Sequence, residues 1–227
     1  MCRFIIRVIN DTRRQKIIEE PEFGTADIKS ALHGRFNAFN VTAAVVAVTG
    51  LGFSFTEVAN AASHLLPVDG RMQEVKGGSD IRVVIDYAHT PDALASALSA
   101  LKQSCTGALW VVFGCGGDRD AGKRPEMGRI ADSLADQLVV TNDNPRSESP
   151  EMIAEDILVG ITGLACHVEL DRGAAIRHAV LNARSGDTVL VAGKGHENYQ
   201  LVGKNKLDFS DVSCAAQVLR EREAARA

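Results

Sequence analysis

The chain has 227 residues, of which 45% are hydrophobic and 24% are charged, and its formal net charge is -4 at pH 7. This length suits one domain of ordinary size and a smaller one, and the composition is typical of a globular protein. A pI near 5.9 argues against a nucleic-acid-binding surface. No apolar stretch is long enough to cross a bilayer, so we predict no nucleic-acid partner and no membrane partner.

The five cysteines are odd in number and irregularly spaced, and the start of the chain lacks the features of a secretory signal. They are Cys2, Cys105, Cys115, Cys166 and Cys214. Because no Cys-x-x-Cys pair occurs, they predict reduced thiols in a cytoplasmic protein rather than disulfides or bound zinc.

The first third of the chain predicts one strand and two helices. Residues 4–9 favour a strand. Apolar residues at helical spacing predict a first helix over residues 37–50, which ends at Gly50 or Gly52. Residues 54–57 have the sequence of a capping box, so they predict the start of a second helix.

Beyond Pro67 strands and helices alternate. Residues 72–76 and 82–85 flank a turn-rich link, which suggests a hairpin. Four apolar runs, each followed by a helical pattern, predict buried strands at 81–85, 109–113, 138–140 and 188–192. This alternation predicts the α/β class, with a Rossmann-like, doubly wound, mostly parallel sheet.

The helix starts in this part of the chain carry N-cap residues. Thr90 and Ser149 are each followed by proline, which is preferred in the first turn of a helix. Asp171 is predicted to cap a third helix, and Asp211 is predicted to cap the last one.

Each of the four predicted strands stops at a cluster of glycine and charged residues. In an open parallel sheet the carboxyl ends of the strands face one crevice, where ligands bind. We therefore expect six side chains at one edge: Asp86, His89, Arg119, Asn144, Arg146 and Glu197. Arginine suits a bidentate grip on carboxylate or phosphate and glutamate suits an ammonium group, so this edge suits a zwitterion.

Simpler interpretations stand beside this one. The two arginines could be neutralised in surface ion pairs by nearby carboxylates, namely Asp118, Asp120, Asp143 and Glu148. Residues 117–123 have the spacing of a phosphate loop, but Arg124 replaces the hydroxyl residue, so we reject that interpretation. Four other histidines stand alone in the sequence and are predicted to be incidental: His33, His64, His167 and His178.

Six segments in order resemble the Mur ligases. They are 34–40, 70–72, 86–91, 114–124, 143–146 and 193–197. The resemblance runs from about Gly34 to the C-terminal helix. Within that family the chain is most similar to the cytoplasmic enzymes that add the third residue of the peptidoglycan stem peptide.

The resemblance implies a reaction. With ATP and Mg²⁺, these enzymes phosphorylate the carboxylate of a UDP-MurNAc-dipeptide, and the amine of the incoming amino acid attacks the acyl phosphate to form an amide bond. The Asp-Asn-Pro-Arg sequence at 143–146 implies that the amino acid is meso-diaminopimelate, because lysine-adding relatives replace its arginine.

The resemblance also assigns residues to ligands. It implies that meso-diaminopimelate is held by Arg119, Asp143, Asn144, Pro145, Arg146, Gly193 and Glu197. It implies that ATP is contacted by Asn37, Asn40, Arg71, Asp86 and Lys123. Neither a metal site nor a complete catalytic set is implied within this chain.

A complete member of the family has a UDP-sugar domain, a central ATPase domain and a C-terminal domain. Residues 1–69 are expected to be a mainly helical remnant of the ATPase domain, with 1–22 not clearly matched, and residues 70–227 the amino-acid-binding domain. Without a Gly-Lys-Thr/Ser loop, the chain is expected to be a C-terminal fragment that is inactive alone. The alternative is a free-standing amino-acid- or nucleotide-binding module without turnover.

Overall fold

The computed structural model of the chain describes residues 5–10, 13–16, 25–29, 32, 35–77 and 80–226. By its internal contacts the chain divides into two compact units, Met1–Pro67 and Val68–Ala227. Some predictions lie outside the described residues, namely those for Cys2, residues 17–22, His33, Gly34 and the link at 78–79.

The first unit combines a small sheet with two helices. Its elements are β1 (Ile5–Asn10), β2 (Arg13–Lys16), β3 (Thr25–Lys29), α1 (Arg35–Gly50) and α2 (Phe55–Ala62). The sheet order is β2-β1-β3, with β1 parallel to β3. The predicted strand and both predicted helices are confirmed, whereas β2 and β3 were not predicted.

The prediction of a capping box at the start of α2 is wrong. Ser54 occupies the N-cap position, but its side chain makes no capping hydrogen bond. The first turn is instead closed by the backbone, through the bond from Val58 N to Ser54 O at 3.0 Å.

The second unit is built on a six-stranded sheet. Its elements are β4 (Gln73–Glu74), β5 (Arg82–Asp86), α3 (Pro91–Lys102), β6 (Leu109–Phe113), α4 (Lys123–Leu134), β7 (Gln137–Val140), α5 (Pro150–Leu158), β8 (Cys166–Val168), α6 (Arg172–Asn182), β9 (Thr188–Ala192), β10 (Tyr199–Val202), β11 (Asn205–Asp208) and α7 (Asp211–Ala224). The order β4-β5-β9-β6-β7-β8 is parallel except for β4, which confirms the α/β prediction. The predicted hairpin is the antiparallel pair β4–β5.

The central strands are continuous apolar runs because both faces of the sheet are covered. Every residue of β6 is buried. Its Trp110 and Val112 pack with residues of α6 and α7 such as Ile176 and Leu219. Because side chains alternate along a strand, Val111 points to the opposite face.

Three of the four predicted helix caps in this unit are confirmed. The side chains of Thr90, Ser149 and Asp171 each accept a hydrogen bond from the backbone N–H three residues on. The prediction that Asp211 caps α7 is wrong, because Ser210 is the N-cap residue and its side chain accepts from Ser213 N. Asp211 is fully buried instead, in an ion pair with Arg172.

The four central strands bring their carboxyl ends to one edge of the sheet. Asp86 at the end of β5 pairs with Ala192 at the end of β9, and Phe113 of β6 pairs with Val140 of β7. The loops that follow these strands therefore leave the sheet on the same side, as the sequence predicted. In the described part of the chain, the helices are too short or too polar to cross a membrane. Its four cysteines are free.

Candidate substrate-binding site

Arg146 is held in an unusual backbone conformation by its neighbours. Its φ of 52° lies in the left-handed region, which non-glycine residues seldom adopt and which is enriched at functional sites. Its N–H donates to Leu201 O at 3.1 Å, and its carbonyl accepts from Gly203 N at 2.7 Å. The β10–β11 hairpin therefore fixes the backbone from which the guanidinium extends.

Arg119 and Arg146 lie close together, as predicted. Arg146 Nη1 donates to the carbonyl of Gly117 at 2.8 Å and to that of Asn144 at 3.4 Å. A Cβ added at Gly116 would stand 2.8 Å from Arg146 Nη1 and 3.8 Å from Arg119 Cγ. Gly116 thus lies against both side chains, and a larger residue there would displace the guanidinium of Arg146.

The alternative of surface ion pairs is not seen as close contacts of these two arginines among the described residues. In the described part of the chain, no carboxylate lies within 4.0 Å of a nitrogen of Arg119 or Arg146. The four candidate carboxylates have other environments: Glu148 pairs with Arg124, Asp118 accepts from Ser147, Asp120 accepts from Gly122 N, and Asp143 is buried. Both guanidinium groups are therefore available to an anionic ligand.

The positive charge of the two arginines nevertheless affects the pKa of Asp118. Hydrogen bonds from Ser147 and, to a smaller extent, the charges of Arg146 and Arg119 hold the pKa of Asp118 below its ordinary value. The backbone of Asp118 has a φ of 53°, so a residue in the left-handed conformation occurs on both loops that carry the arginines.

Glu197 is connected to the arginine loops through Asn144. Asn144 Nδ2 donates to Glu197 Oε2 at 3.0 Å, and the carbonyl of the same asparagine accepts from Arg146. Lys194 Nζ also donates to Glu197 Oε2, at 3.2 Å, and to Asn144 Oδ1, at 3.0 Å. Hydrogen bonds thus join Arg146, Asn144, Lys194 and Glu197 into one constellation, and Arg119 lies beside Arg146 at Gly116.

Lys194 lies in the 193–197 segment, but no role was predicted for it. Its side chain is 0% exposed, which is rare for lysine unless a partner is present. The available signal was its position only two residues after the end of the fully buried strand β9.

Gly193 and Asp143 pack against each other beneath this constellation. Gly193 has a φ of +118°, and a Cβ added there would come within 2.5 Å of Asp143 Oδ2. Burial raises the pKa of Asp143, and the charges of Arg172 and Lys194 oppose that shift. Asp143 therefore lies inside the loop rather than on its surface. Pro145 is buried beside it.

The residues that the resemblance assigned to ATP in this unit lie at the end of β5 and around the loop that follows it. Asp86 Oδ2 accepts from Met72 N at 2.8 Å, and burial raises the pKa of the carboxyl. The guanidinium of Arg71 stands 4.8 Å above the Tyr87 ring. That ring also lies 4.6 Å from the ring of His89.

Lys123 lies in the same neighbourhood. Its Nζ donates to the carbonyl of His89 at 2.7 Å, so an ammonium and a guanidinium flank the loop that follows β5. Asn37 and Asn40 belong to helix α1 of the other unit, where Asn40 Nδ2 lies 3.4 Å from Asn37 Oδ1. Across the described ranges, histidine, cysteine and carboxylate side chains form no group of three that could hold a metal ion.

Two histidines that stand alone in the sequence do not stand alone in the structure. His167 on β8 and His178 on α6 stack with ring centroids 3.7 Å apart and planes at 9°. They line a cavity of about 400 Å³ together with Glu169, Arg177 and Asn182. Burial, and then the charge of His167, lower the pKa of His178.

Comparison with known proteins assigns most of the second unit to one family. A family described as "Mur ligase, glutamate ligase domain" matches residues 70–195, which is more than half of the chain. The match begins at Gly70, whose added Cβ would collide with the backbone of His196, and it ends at Gly195. It therefore spans all four strand ends described above.

Two curated relatives are each named UDP-N-acetylmuramoyl-L-alanyl-D-glutamate–2,6-diaminopimelate ligase. The protein from Vibrio vulnificus is 48% identical over 198 residues, and the protein from Chromobacterium violaceum is 51% identical over 199 residues. Each alignment covers 87% of this chain and 40% of the relative, so the chain spans about two-fifths of their length.

Solved structures agree with this result. A structure of a ligase of the same name has a TM-score of 0.68 and 38% identity, over 93% of this chain and 41% of its own. UDP-N-acetylmuramate–alanine ligase from Thermotoga maritima has a TM-score of 0.64 at 18% identity, over 99% of this chain and 45% of its own, which shows a likeness of fold alone.

Proposed function

This chain belongs to the Mur ligase family, and from that premise we propose that it is the C-terminal part of an ATP-dependent ligase that adds meso-diaminopimelate to UDP-MurNAc-L-Ala-D-Glu. The names of the two curated relatives and the 40% of their length that it spans support this assignment. We assign residues 1–69 to the end of the ATPase domain and residues 70–227 to the amino-acid-binding domain, and we place the reaction in the cytoplasm during peptidoglycan synthesis.

The observation that carries the proposal is a pair of arginines that have no carboxylate partner among the described residues, connected to a glutamate through Asn144. The distal end of diaminopimelate carries a carboxylate and an ammonium. Arg119 and Arg146 suit the carboxylate, since a guanidinium binds it in bidentate fashion. Glu197, which Asn144 ties to the arginine loops, suits the ammonium. Lysine has the ammonium without the carboxylate and would leave both arginines unused.

The other residues assigned to this ligand have supporting roles. Gly193 lets the chain pass close over Asp143, and the buried Pro145 fixes the backbone ahead of Arg146. In this proposal Asp143 and Pro145 shape the loop, while Arg119, Asn144, Arg146 and Glu197 contact the amino acid.

The nucleotide assignments rest on charge. In the second unit, Arg71 and Lys123 are the cations that would hold phosphate groups, with Asp86 as a polar contact. For Asn37 and Asn40 of the first unit, the assignment to ATP rests on the family resemblance alone. When bound, ATP supplies the phosphoryl group that activates the dipeptide carboxylate. The residues of this chain hold the incoming amino acid so that its free amine can attack. The described residues form no group of three histidine, cysteine or carboxylate side chains that could hold a metal ion by themselves, and we derive no step through Mg²⁺.

Steady-state kinetics of the enzyme that carries this chain at its C-terminus tests the proposal. Arg146→Ala is expected to raise the KM for meso-diaminopimelate by about tenfold or more, because a charged hydrogen-bond partner is lost, and to leave the KM for ATP unchanged. Arg129→Ala, at an exposed position of α4, is the control. An unchanged KM for diaminopimelate would remove Arg146 from the site, and ATP hydrolysis by the isolated chain would contradict the assignment as a fragment.

A further inference from the structure

Lys194 is a fully buried cation at the centre of the proposed amino-acid site. Its Nζ has two acceptors, Asn144 Oδ1 at 3.0 Å and Glu197 Oε2 at 3.2 Å, and it stands 5.5 Å from the centre of the Tyr199 ring. A lysine ammonium only donates, so each of these contacts must be to an acceptor atom. The ammonium therefore dictates which atoms of its neighbours face it.

The first consequence concerns the amide of Asn144. Its Oδ1 receives two donors, Lys194 Nζ and Leu201 N at 2.9 Å. A flipped amide would place its NH₂ group against both donors, which is unfavourable. The amide is thus fixed with Nδ2 toward Glu197 Oε2.

The second consequence concerns the carboxylate of Glu197. Its Oε2 accepts from both Asn144 and Lys194, while within the described residues its Oε1 has no hydrogen-bond partner. The side chain is 17% exposed, so it reaches the surface from this anchored position. One oxygen is therefore held by the protein and the other is left for a ligand.

From these contacts we infer that Lys194 is a positioning residue, which orients Asn144 and Glu197 so that Glu197 Oε1 receives the ammonium of diaminopimelate. The inference rests on the proposed function for the identity of the ligand, while the orientation of the two side chains can be measured without any ligand. A purely electrostatic role predicts the opposite effect on affinity, because removal of a cation beside Glu197 would strengthen its attraction for an ammonium.

The first measurement uses nitrogen-15 NMR of this chain without ligand. Lys194→Met keeps the side-chain volume and removes the donor, so the two Asn144 amide protons are expected to exchange with water about tenfold faster. Lys206→Met is the matched control, because its ammonium lies 4.2 Å from the same Tyr199 ring on an exposed strand. Equal exchange in the unaltered chain and in both variants would overturn the inference.

Glu197→Ala provides a second variant if Lys194→Met does not fold. Lys194 and Leu201 still donate to Asn144 Oδ1 in this variant, so the amide is expected to keep its orientation. Unchanged nuclear Overhauser contacts of its two protons measure that orientation, while the exchange itself becomes faster because the acceptor Glu197 Oε2 is gone. Loss of those Overhauser contacts in Glu197→Ala would show that Glu197, not Lys194, orients the amide.

Calorimetric titration with meso-diaminopimelate supplies the functional readout. Lys194→Met is expected to weaken binding by about tenfold, and to weaken it by less than about threefold when Glu197 is already replaced by glutamine. Tighter binding by Lys194→Met would overturn the inference. No binding by the unaltered chain would contradict the proposed function instead, and the amide exchange would still decide whether Lys194 orients Asn144.

Discussion

Arg172 and Asp211 lie 39 residues apart and form an ion pair in which both side chains are 0% exposed. Arg172 Nε is 2.7 Å from Oδ1 of Asp211, and Nη2 is 2.8 Å from Oδ2. The remaining donors of the guanidinium reach the carbonyls of Asn142 and Ala192, each at 3.0 Å. The pair therefore connects the last two helices to two of the strand ends that carry the proposed site.

Replacement of Asp211 by asparagine should destabilise the chain strongly. A buried guanidinium that loses its counter-charge keeps its desolvation cost, so the free energy of unfolding is expected to fall by about 3 kcal/mol. Urea unfolding followed by circular dichroism measures it. Asp171→Asn is the control, because asparagine caps a helix as well as aspartate, and it should change stability by less than about 0.5 kcal/mol. Equal effects of the two substitutions would contradict this account of the pair.

Replacement of Gly193 by alanine should destabilise the site loop. The substitution places a residue with a Cβ at a backbone φ of +118°, which such residues rarely adopt. It also brings that Cβ within 2.5 Å of Asp143 Oδ2. Gly77 has a similar φ of +113° with open space around it, so Gly77→Ala isolates the cost of the backbone conformation. The collision in Gly193→Ala is expected to cost about 1–3 kcal/mol beyond that control in urea unfolding. A cost no greater than that of Gly77→Ala would show that the loop has room.

Asp80 should make stability depend on pH in the acid range. Its carboxylate accepts from Arg222 Nη2 at 2.6 Å, and it also pairs with Arg226. The hydrogen bond from Arg222 and the charges of both arginines hold the pKa of Asp80 below its ordinary value of 3.8, against the effect of burial. The folded state thus binds a proton less readily than the unfolded state, and the stability from this group is present above about pH 4 and is lost as pH falls through the folded pKa.

Asp80→Asn is the variant that measures this contribution. At pH 7 it is expected to lower the free energy of unfolding by about 1.5 kcal/mol, and the gap to the unaltered chain should shrink as the pH falls below 4. Glu155→Gln, at an exposed position of α5, should change neither quantity. A gap that stays constant from pH 7 to pH 2 would rule out the linkage.

Local patterns predicted the parts of the fold that depend on local chemistry. Thr90, Ser149 and Asp171 cap helices as expected, because an N-cap is satisfied by an N–H only three residues away. Asp211 has the same local appearance, yet its partner is Arg172, which no local pattern reveals. An acid before a helix is thus ambiguous until its neighbours in space are known.

In the proposed site, too, some features could be predicted from the sequence and others depend on contacts between residues far apart in the chain. The convergence of strand ends predicted that Arg119, Arg146 and Glu197 come together, since that follows from the topology of a parallel sheet. The role of Lys194 depends on Asn144, 50 residues away, so it could not be derived from the glycines that flank it. The availability of the arginines likewise depended on where the nearby carboxylates find their own partners.

Calorimetric titration of this chain with meso-diaminopimelate and with L-lysine tests the central claim most directly. The two ligands share the ammonium and differ in the distal carboxylate that Arg119 and Arg146 are proposed to bind. We predict that diaminopimelate binds at least about tenfold more tightly than lysine, and that Arg146→Ala abolishes the difference. Equal affinity of the unaltered chain for the two ligands would contradict the account.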